Sequence, residues 1–367
     1  MTTVEHTSTA QPGRRAGVVN PGHGETFTDH MFSMLWSPAS GWHQPEFGRL
    51  QNLSIHPGTV GLHYGQVAFE GLKAHRRVDG SMVVFRPYEH ARRFQTSTRR
   101  LAMPELPVDI FMDAVSQLVA ADHEWLSDDP AHSLYLRPIM FASDHSLMLR
   151  PSTEYRFLLM AFVAGGFFGD HVDTVSVLIS RDYCRAMPGG TGNVKVAGNY
   201  APSFLAQQQA QEAGCQQVVW LDAIERHWIE EMGGMNLFFV RDTGTGYEVG
   251  TPELTGSLLP GVTRDTLLTI AERLGYRARE MRISVDQWRQ ESIEGRITEV
   301  FACGTAAVVT PVSAVRDPLG GDWTVGDGQP GPVTMTLRRA LMDVHHGLVP
   351  DPDGWLHPVP IGPSLPG

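Results

Sequence analysis

Residues 187–200 read MPGGTGNVKVAGNY and place Lys195 between two valines, close to four glycines. A lysine in an apolar pocket loses part of its preference for the charged form, and its amine can then act as a nucleophile or Schiff-base former. Glycines let the backbone approach a ligand closely. Taken alone, however, the stretch favours a simpler interpretation, an alternating strand with Lys195 facing water beside an ordinary turn. Other parts of the chain must decide between the two.

The size and charge of the chain exclude some classes of protein. Its 367 residues are more than one compact core usually holds, which predicts two domains. The net charge is −11 and no long basic run is present, so nucleic-acid binding is not expected. An anionic small ligand needs only a locally positive pocket and remains compatible with this balance.

The cysteines and the apolar segments indicate in which cellular compartment the protein is expected. Cys184, Cys215 and Cys303 are odd in number and far apart, which does not indicate a disulfide framework or a metal site. We therefore expect a reducing, cytoplasmic environment and no metal. The N-terminus lacks the apolar segment of a signal peptide, and no eighteen apolar residues run together, so no membrane span is expected.

The order of predicted elements indicates an α+β fold, because hairpins and helices are mixed without a regular βαβ alternation. Asp79 and Gly80 form a hairpin turn signal between two apolar runs. Residues 108–125 have the spacing of an amphipathic helix. Further helices are predicted from residue 87, over 200–213, from 260, and over 333–345, and further strands over 133–141, 155–163, 175–180, 217–222, 227–231, 235–240 and 298–303.

A glycine-rich aromatic segment at residues 165–169 is the candidate junction between two domains. The predicted division is a flexible tail (1–25), a small α/β domain (26–164), an interdomain loop (165–174) and a larger domain (175–367).

Glu231 is a second candidate site residue, since it leaves a predicted strand into the Gly233-Gly234 turn. A buried carboxylate needs a cationic or N–H partner, and a protonated pyridine nitrogen is one such partner. The alternative is a solvated acid at the end of a hairpin.

Two further segments could bind an anion. Residues 259–264 (LPGVTR) open a helix, whose unsatisfied N–H groups and dipole favour an anion, although Thr263 could simply cap that helix. Thr305 follows a strand end and offers a hydroxyl beside backbone N–H groups, although a plain turn fits equally well. Tyr135 and Arg137 share one face of their strand because strand side chains repeat every two residues.

Together these features describe a site for pyridoxal 5′-phosphate (PLP): a lysine for an imine, an acid for the ring nitrogen and two N–H-rich turns for the phosphate. The chain also resembles the branched-chain amino-acid aminotransferases, which are fold-type IV PLP enzymes. The resemblance extends from about Phe27 to Val344 and rests on seven stretches in order. They are residues 62–73 (LHYGQVAFEGLK), 85–87 (FRP), 135–138 (YLRP), 193–200 (NVKVAGNY), 231–236 (EMGGMN), 259–264 (LPGVTR) and 304–307 (GTAA).

The resemblance implies a two-domain fold of the D-amino-acid aminotransferase type and a role for each matched residue. Lys195 would form the Schiff base with PLP and move a proton between the substrate α-carbon and the cofactor. Tyr200 would bind the cofactor's phenolate oxygen, and Glu231 would pair with its ring nitrogen. The residues implied for the phosphate are Arg93, Val262, Thr263 and Thr305.

The resemblance also implies the substrate site. The α-carboxylate would bind Tyr135 and the N–H groups of Thr305 and Ala306, and Arg137 would receive the γ-carboxylate of glutamate. The residues implied for the wall of the side-chain pocket are Tyr64, Phe69 and Phe167. Leu147 and Leu149 match a loop that enters the neighbouring subunit's site, which implies a homodimer.

The implied reaction is reversible, ping-pong transamination of leucine, isoleucine and valine with 2-oxoglutarate. Gly234 and Phe167 depart from some relatives at the pocket, which leaves the preference among the three amino acids open. Three alternatives are a PLP lyase of the same fold, a D-amino-acid aminotransferase and a catalytically inactive scaffold. Retention of Lys195, Tyr200 and Glu231 together argues against the last.

Overall fold

The fold contains two β-sheets with helices packed on them, in a computed structural model that describes residues 21–165 and 172–361. The helices are α1 (Val60–Tyr64), α2 (Pro87–Arg100), α3 (Val108–Asp122), α4 (Phe204–Glu212), α5 (Val262–Arg273), α6 (Val285–Ile293) and α7 (Pro332–His345). The strands are β1 (Phe27–Ser37), β2 (Gly41–Arg49), β3 (Val67–Phe69), β4 (Leu72–Arg76), β5 (Met82–Phe85), β6 (Ser133–Ala142), β7 (Tyr155–Ala164), β8 (Val175–Ile179), β9 (Gln217–Leu221), β10 (Ile229–Met232), β11 (Met235–Asp242), β12 (Tyr247–Pro252), β13 (Arg277–Met281), β14 (Ile297–Gly304), β15 (Val308–Arg316), β16 (Trp323–Thr324) and β17 (Leu356–Val359).

The first sheet has the strand order β17-β5-β4-β6-β7-β1-β2, with β3 paired to β6. All of its pairings are antiparallel in the part of the chain described. One face packs on α2 and α3, whose apolar positions Phe94, Phe111 and Leu118 are buried in a common core. In α3, Phe111 and Leu118 belong to the apolar stripe that helical spacing predicts for residues 108–125.

The second sheet has the order β10-β9-β8-β15-β14-β11-β12-β13, and β10 also pairs with β11. That extra pairing closes six strands into a ring. Successive residues of β11 face opposite ways, as strand geometry requires: Phe239 packs inside the ring and Phe238 packs outside it against α5 and α7.

Several predictions are confirmed. The expected mixture of helices and sheets is present, and β4 and β5 form the antiparallel hairpin predicted about Asp79 and Gly80. Gly80 has φ +82°, which explains why glycine stands at this turn.

Other elements differ from the prediction. The helix expected over 200–213 begins only at Phe204, after two short 3-10 turns. The sequence does not predict strands β1 and β2. Strand β2 is largely exposed and lacks apolar alternation, and β1 buries polar residues such as Thr28 and Asp29. The proline-rich C-terminal segment contains β17, which pairs with β5 in the first sheet. The domain limits themselves stay a prediction.

Two results concern membranes and metals. Across 21–165 and 172–361, no helix has the length and apolar character needed to cross a bilayer. Within the same ranges, no three or more His, Cys, Asp or Glu side chains are grouped so that they could bind a metal ion.

Candidate active site

A cavity of about 210 Å³ lies between the two sheets and contains most of the predicted site residues. Its first-sheet side carries β3, β6 and α2, and its second-sheet side carries the start of α5 and the end of β14. The predicted residues that line it are Phe69, Arg93, Tyr135, Arg137, Lys195, Tyr200, Val262, Thr263, Thr305 and Ala306.

Lys195 lies on a loop between β8 and α4, not on a water-facing strand, so the simpler interpretation of its stretch is wrong. Val194 and Val196 on either side are buried in the core of the first sheet. The backbone N–H of Lys195 donates to Ser97 Oγ at 2.9 Å. Its side chain is thereby directed into the cavity, where Nζ donates to the Tyr200 hydroxyl at 2.8 Å.

The flanking valines suggest a lowered pKa for Lys195, but its pKa is raised. Burial acts to lower its pKa, but Tyr200, Tyr135 and Glu70 oppose burial, and the net direction is upward. The amine therefore keeps its proton in the protein without ligands. A reaction that uses Lys195 as a nucleophile must first remove that proton.

Glu231 is buried on β10 and is held by N–H groups and one cation. The backbone N–H of Leu259 donates to its Oε1 at 2.7 Å, and Arg185 Nε lies 3.0 Å from its Oε2. Burial raises the pKa of Glu231, and Arg185 opposes this rise without cancelling it. Glu231 lines an adjoining cavity that shares Tyr200 and Leu259 with the first one.

The start of α5 is suited to an anion. Gly261 is the N-cap and has no side-chain partner for the first N–H groups, so the alternative in which Thr263 caps the helix is wrong. A Cβ at Gly261 would lie 2.1 Å from Asn236 Oδ1, which explains the glycine. The uncapped N–H groups and the helix dipole face the cavity that Val262 and Thr263 line.

Arg93 reaches this end of the cavity from α2. Its Nη1 donates to the carbonyl of Pro260 at 3.1 Å, immediately before the α5 N-terminus. The other side of its guanidinium pairs with Glu70, whose side chain is fully buried.

Tyr135 and Arg137, both on β6, also line the cavity. The Tyr135 ring stacks on Phe162 with centroids 4.7 Å apart. The Arg137 guanidinium lies 5.0 Å from the centroid of Phe69, and its buried Nε has no hydrogen-bond partner among the described residues. A buried N–H of this kind is a donor for a carboxylate.

Three predicted residues besides Glu231 do not line this cavity. Tyr64, Leu147 and Leu149 are exposed, and the Tyr64 hydroxyl donates to the carbonyl of Leu147 at 2.8 Å. Phe167 lies outside the described residues.

Sequence reasoning missed three charged residues. Glu70 and Lys73 carry a usable signal, because they are charged residues inside an otherwise apolar stretch (residues 67–74). Lys73 is buried, and its Nζ donates to the carbonyl of Ala306 at 3.0 Å. Arg185 follows a polar loop, and nothing in its neighbours marks it.

Comparison with known proteins identifies the family. The amino-transferase class IV family model matches residues 68–315. A probable branched-chain-amino-acid aminotransferase of Streptomyces coelicolor is 53% identical over 348 residues, which are 94% of each chain.

Solved structures give the same result. The branched-chain amino acid aminotransferase of Escherichia coli has a TM-score of 0.74 and 30% identity, covering 91% of this chain and 100% of that one. The T.th. branched-chain amino acid aminotransferase, complexed with N-(5′-phosphopyridoxyl)-L-glutamate, has a TM-score of 0.72 and 28% identity, covering 89% of this chain and 98% of that one. The chain therefore belongs to the class IV aminotransferase family, and within it to the branched-chain-amino-acid aminotransferases.

Proposed function

We propose that this protein uses PLP to transfer the amino group of L-leucine, L-isoleucine or L-valine to 2-oxoglutarate, in a reversible ping-pong cycle. The observation that carries the proposal is the pair of Lys195 Nζ and the Tyr200 hydroxyl, 2.8 Å apart, in one cavity with an uncapped helix N-terminus. An amine and an anion site in one cavity suit an aldehyde cofactor that carries a phosphate.

The phosphate end supports PLP through its donors. Val262 and Thr263 contribute backbone N–H groups, Thr305 contributes a hydroxyl, and Arg93 contributes a positive charge. When bound, PLP would supply a conjugated ring that accepts the electron pair released at the substrate α-carbon.

Glu231 would hold the ring nitrogen in its protonated form. The proton stays on that nitrogen only if the carboxylate is the weaker base. Burial makes Glu231 more basic, and Arg185, 3.0 Å away, makes it less so. Arg185 therefore helps Glu231 act as a carboxylate partner for the ring nitrogen.

Lys195 would move the proton that transamination requires. Its Nζ holds a proton against the Tyr200 oxygen in the protein without ligands. As a neutral amine, Nζ would take the α-carbon proton as a general base.

The substrate end explains how an apolar and an acidic side chain could share one site. Tyr135 and the N–H groups of Thr305 and Ala306 would bind the α-carboxylate common to all substrates. Phe69 provides an apolar wall, and Phe167 is expected to contribute to it. The unpartnered Nε of Arg137 would donate to the γ-carboxylate of glutamate.

The functional unit in this proposal is a homodimer. Leu147, Met148 and Leu149 are consecutive large apolar residues, and each exposes more than half of its side chain. Their loop is ordered by the Tyr64 hydroxyl and by Arg150, which pairs with Asp144 at 3.0 Å. An ordered, exposed apolar loop is suited to a partner's surface.

We place this activity in the cytoplasm. Cys184, Cys215 and Cys303 are all free thiols in the structure, as a reducing compartment would keep them.

The two half-reactions test the proposal. The PLP-loaded protein mixed with L-leucine alone should release about one equivalent of 2-oxo acid per site and stop, as ping-pong transfer requires. Addition of 2-oxoglutarate should then yield the same amount of glutamate. Continuous turnover without an acceptor would indicate a lyase, and preferential reaction with D-leucine would indicate the D-amino-acid enzyme; either result would refute the proposal.

A further inference from the structure

Glu70 is a fully buried carboxylate to which the proposed mechanism assigns no role. It lies between β3 and β4, and its backbone N–H donates to the carbonyl of Pro138 at 2.8 Å. The side chain is fixed as well, because its carboxylate accepts four hydrogen bonds. The donors are Gly71 N at 3.0 Å, His90 Nδ1 at 2.8 Å, Arg93 Nε at 2.6 Å and Arg93 Nη2 at 2.9 Å.

The pairing with Arg93 has a definite geometry. Nε donates to Oε1 and Nη2 donates to Oε2, which is the two-bond arrangement that fixes the plane of a guanidinium. The third bond, from Nη1 to Pro260, joins the same group to the segment before α5. His90 Nδ1 lies 3.4 Å from Nη2, but it donates to Glu70 and so cannot also accept from Nη2. An arginine has five N–H donors, so one N–H on each of Nη1 and Nη2 is left for a ligand.

Glu70 also supplies the charge that makes burial of Arg93 possible. Burial acts to raise the pKa of Glu70, but Arg93 and His90 outweigh it and hold that pKa well below its usual range. The carboxylate is therefore ionised whenever the protein is folded near neutral pH. An unpaired arginine at this depth would instead turn toward water or another acceptor.

We propose that Glu70 is the positioning residue for the phosphate group of the cofactor: it fixes the guanidinium of Arg93 so that its two remaining N–H groups meet the anion at the start of α5. His90 acts with it, because its Nδ1–H donates to Oε2 beside Arg93 Nη2 and the N–H of Gly71, and so helps to hold the carboxylate in place. The inference rests on the proposed PLP site and concerns the phosphate alone.

A comparison of PLP with pyridoxal, which lacks the phosphate, tests this role. We would titrate the apoprotein with each compound and measure the dissociation constant from the absorption of the Schiff base. Glu70→Gln removes the charge and places an amide N–H against Arg93. It should weaken PLP binding roughly tenfold to a hundredfold, the range for a lost charged hydrogen bond, and change pyridoxal binding by less than about twofold. The ³¹P resonance of bound PLP should shift as well.

Two further variants show whether Glu70 acts through Arg93. Arg93→Lys removes the two-bond pairing, since an ammonium group cannot reproduce the planar fork. If Glu70 acts through Arg93, adding Glu70→Gln to Arg93→Lys should weaken PLP binding no further. Glu299→Gln is the matched control, because Glu299 is also buried and accepts two N–H groups, from Val333 and Thr334 outside the cavity. It should not favour pyridoxal over PLP.

The results separate this inference from the function it rests on. Wild-type protein that binds neither compound would contradict the proposed function. Wild-type protein that binds PLP, with a Glu70→Gln variant that binds it equally well or loses both compounds equally, would overturn the inference alone. If Glu70→Gln does not fold, Glu70→Asp carries the same test: it keeps the charge, but its carboxylate is one methylene too short for both bonds.

Discussion

At the scale of single residues, Gly71 decides where the Tyr135 hydroxyl can lie. A Cβ on residue 71 would be 1.8 Å from that hydroxyl oxygen, so any other side chain must displace it. Gly71→Ala should therefore lower kcat/KM for L-leucine at least tenfold, roughly the loss of one hydrogen bond to a charged group, and should leave PLP bound. Steady-state kinetics and the absorption of bound cofactor measure the two effects.

The matched control for Gly71 is Gly246→Ala. Gly246 is exposed in the turn between β11 and β12, and a Cβ there meets nothing within 4 Å. If both variants keep the wild-type kcat/KM, the Tyr135 hydroxyl does not bind the substrate.

Lys73 should make stability depend on pH. Burial, with Arg338 nearby, lowers its pKa from 10.5 to about 7. Between these values the unfolded chain binds a proton that the folded chain does not, so the free energy of unfolding should rise with pH. The rise has an upper limit of about 1.4 kcal/mol per pH unit. Below about pH 7 both states are protonated and the contribution is constant.

Urea unfolding of the apoprotein at pH 7, 8 and 9 measures this contribution, with Lys73→Met as the reference. The difference between wild type and Lys73→Met should rise with pH, because only the wild type has the buried amine. A constant difference would show that Lys73 keeps an ordinary pKa in the fold.

Some residues of the site can be predicted from the sequence, and others cannot. Lys195 lies between two valines, and Glu231 lies shortly before two glycines. Both contexts are unusual and can be recognised from the sequence alone. Glu70 and Arg185 act on residues 23 and 46 positions away, Arg93 and Glu231 respectively, so only the fold brings the partners together. The direction of the Lys195 pKa depends on Tyr135, which is even more distant in sequence.

At the scale of elements, α7 is held to β14 by one carboxylate. Glu299 accepts from the N–H of Val333 at 3.0 Å and from that of Thr334 at 2.7 Å, in place of a side-chain cap. Gly331 has no room for a side chain, since a Cβ would lie 2.0 Å from Glu299 Cδ. Glu299→Gln should lower the free energy of unfolding by about 1 to 3 kcal/mol.

The control for Glu299 is Glu294→Gln, which removes an exposed carboxylate paired with Arg296. Exposed pairs contribute little, so this variant should change stability by less than about 1 kcal/mol. Equal losses in the two variants would contradict the role of Glu299 as a buried cap.

The elements predicted well share a simple pattern. Helix α3 has clear helical periodicity, and strands β6 and β7 are apolar and mostly buried, so the sequence predicts all three within a few residues. Strand β2 is exposed on most residues, and β13 is mostly polar, so neither has an apolar pattern to detect. Their position is set by pairing with β1 and β12, which is a tertiary effect.

At the scale of the whole molecule, the loop that carries Leu147 and Leu149 should determine assembly. Both side chains are exposed in one chain, at 58% and 88% of their surface. The double variant Leu147→Asp and Leu149→Asp should shift the protein from dimer to monomer and lower its activity, because charges would have to be buried in the interface. Sedimentation velocity at several protein concentrations measures the shift.

Leu319→Asp is the control for that loop, since Leu319 is also an exposed leucine, at 78%, on the connection between β15 and β16. It should remain dimeric. A wild-type protein that is monomeric, or a double variant that stays a fully active dimer, would contradict the assembly proposed.

The visible absorption spectrum of the protein with PLP, in the wild type and in Lys195→Ala, tests most directly whether Lys195 binds the cofactor. Wild-type protein should show the band of a lysine Schiff base, lose it when L-leucine is added, and regain it with 2-oxoglutarate. Lys195→Ala should show no such band and should lose turnover. A wild type without the band, or a Lys195→Ala variant that keeps full turnover, would contradict the role proposed for Lys195.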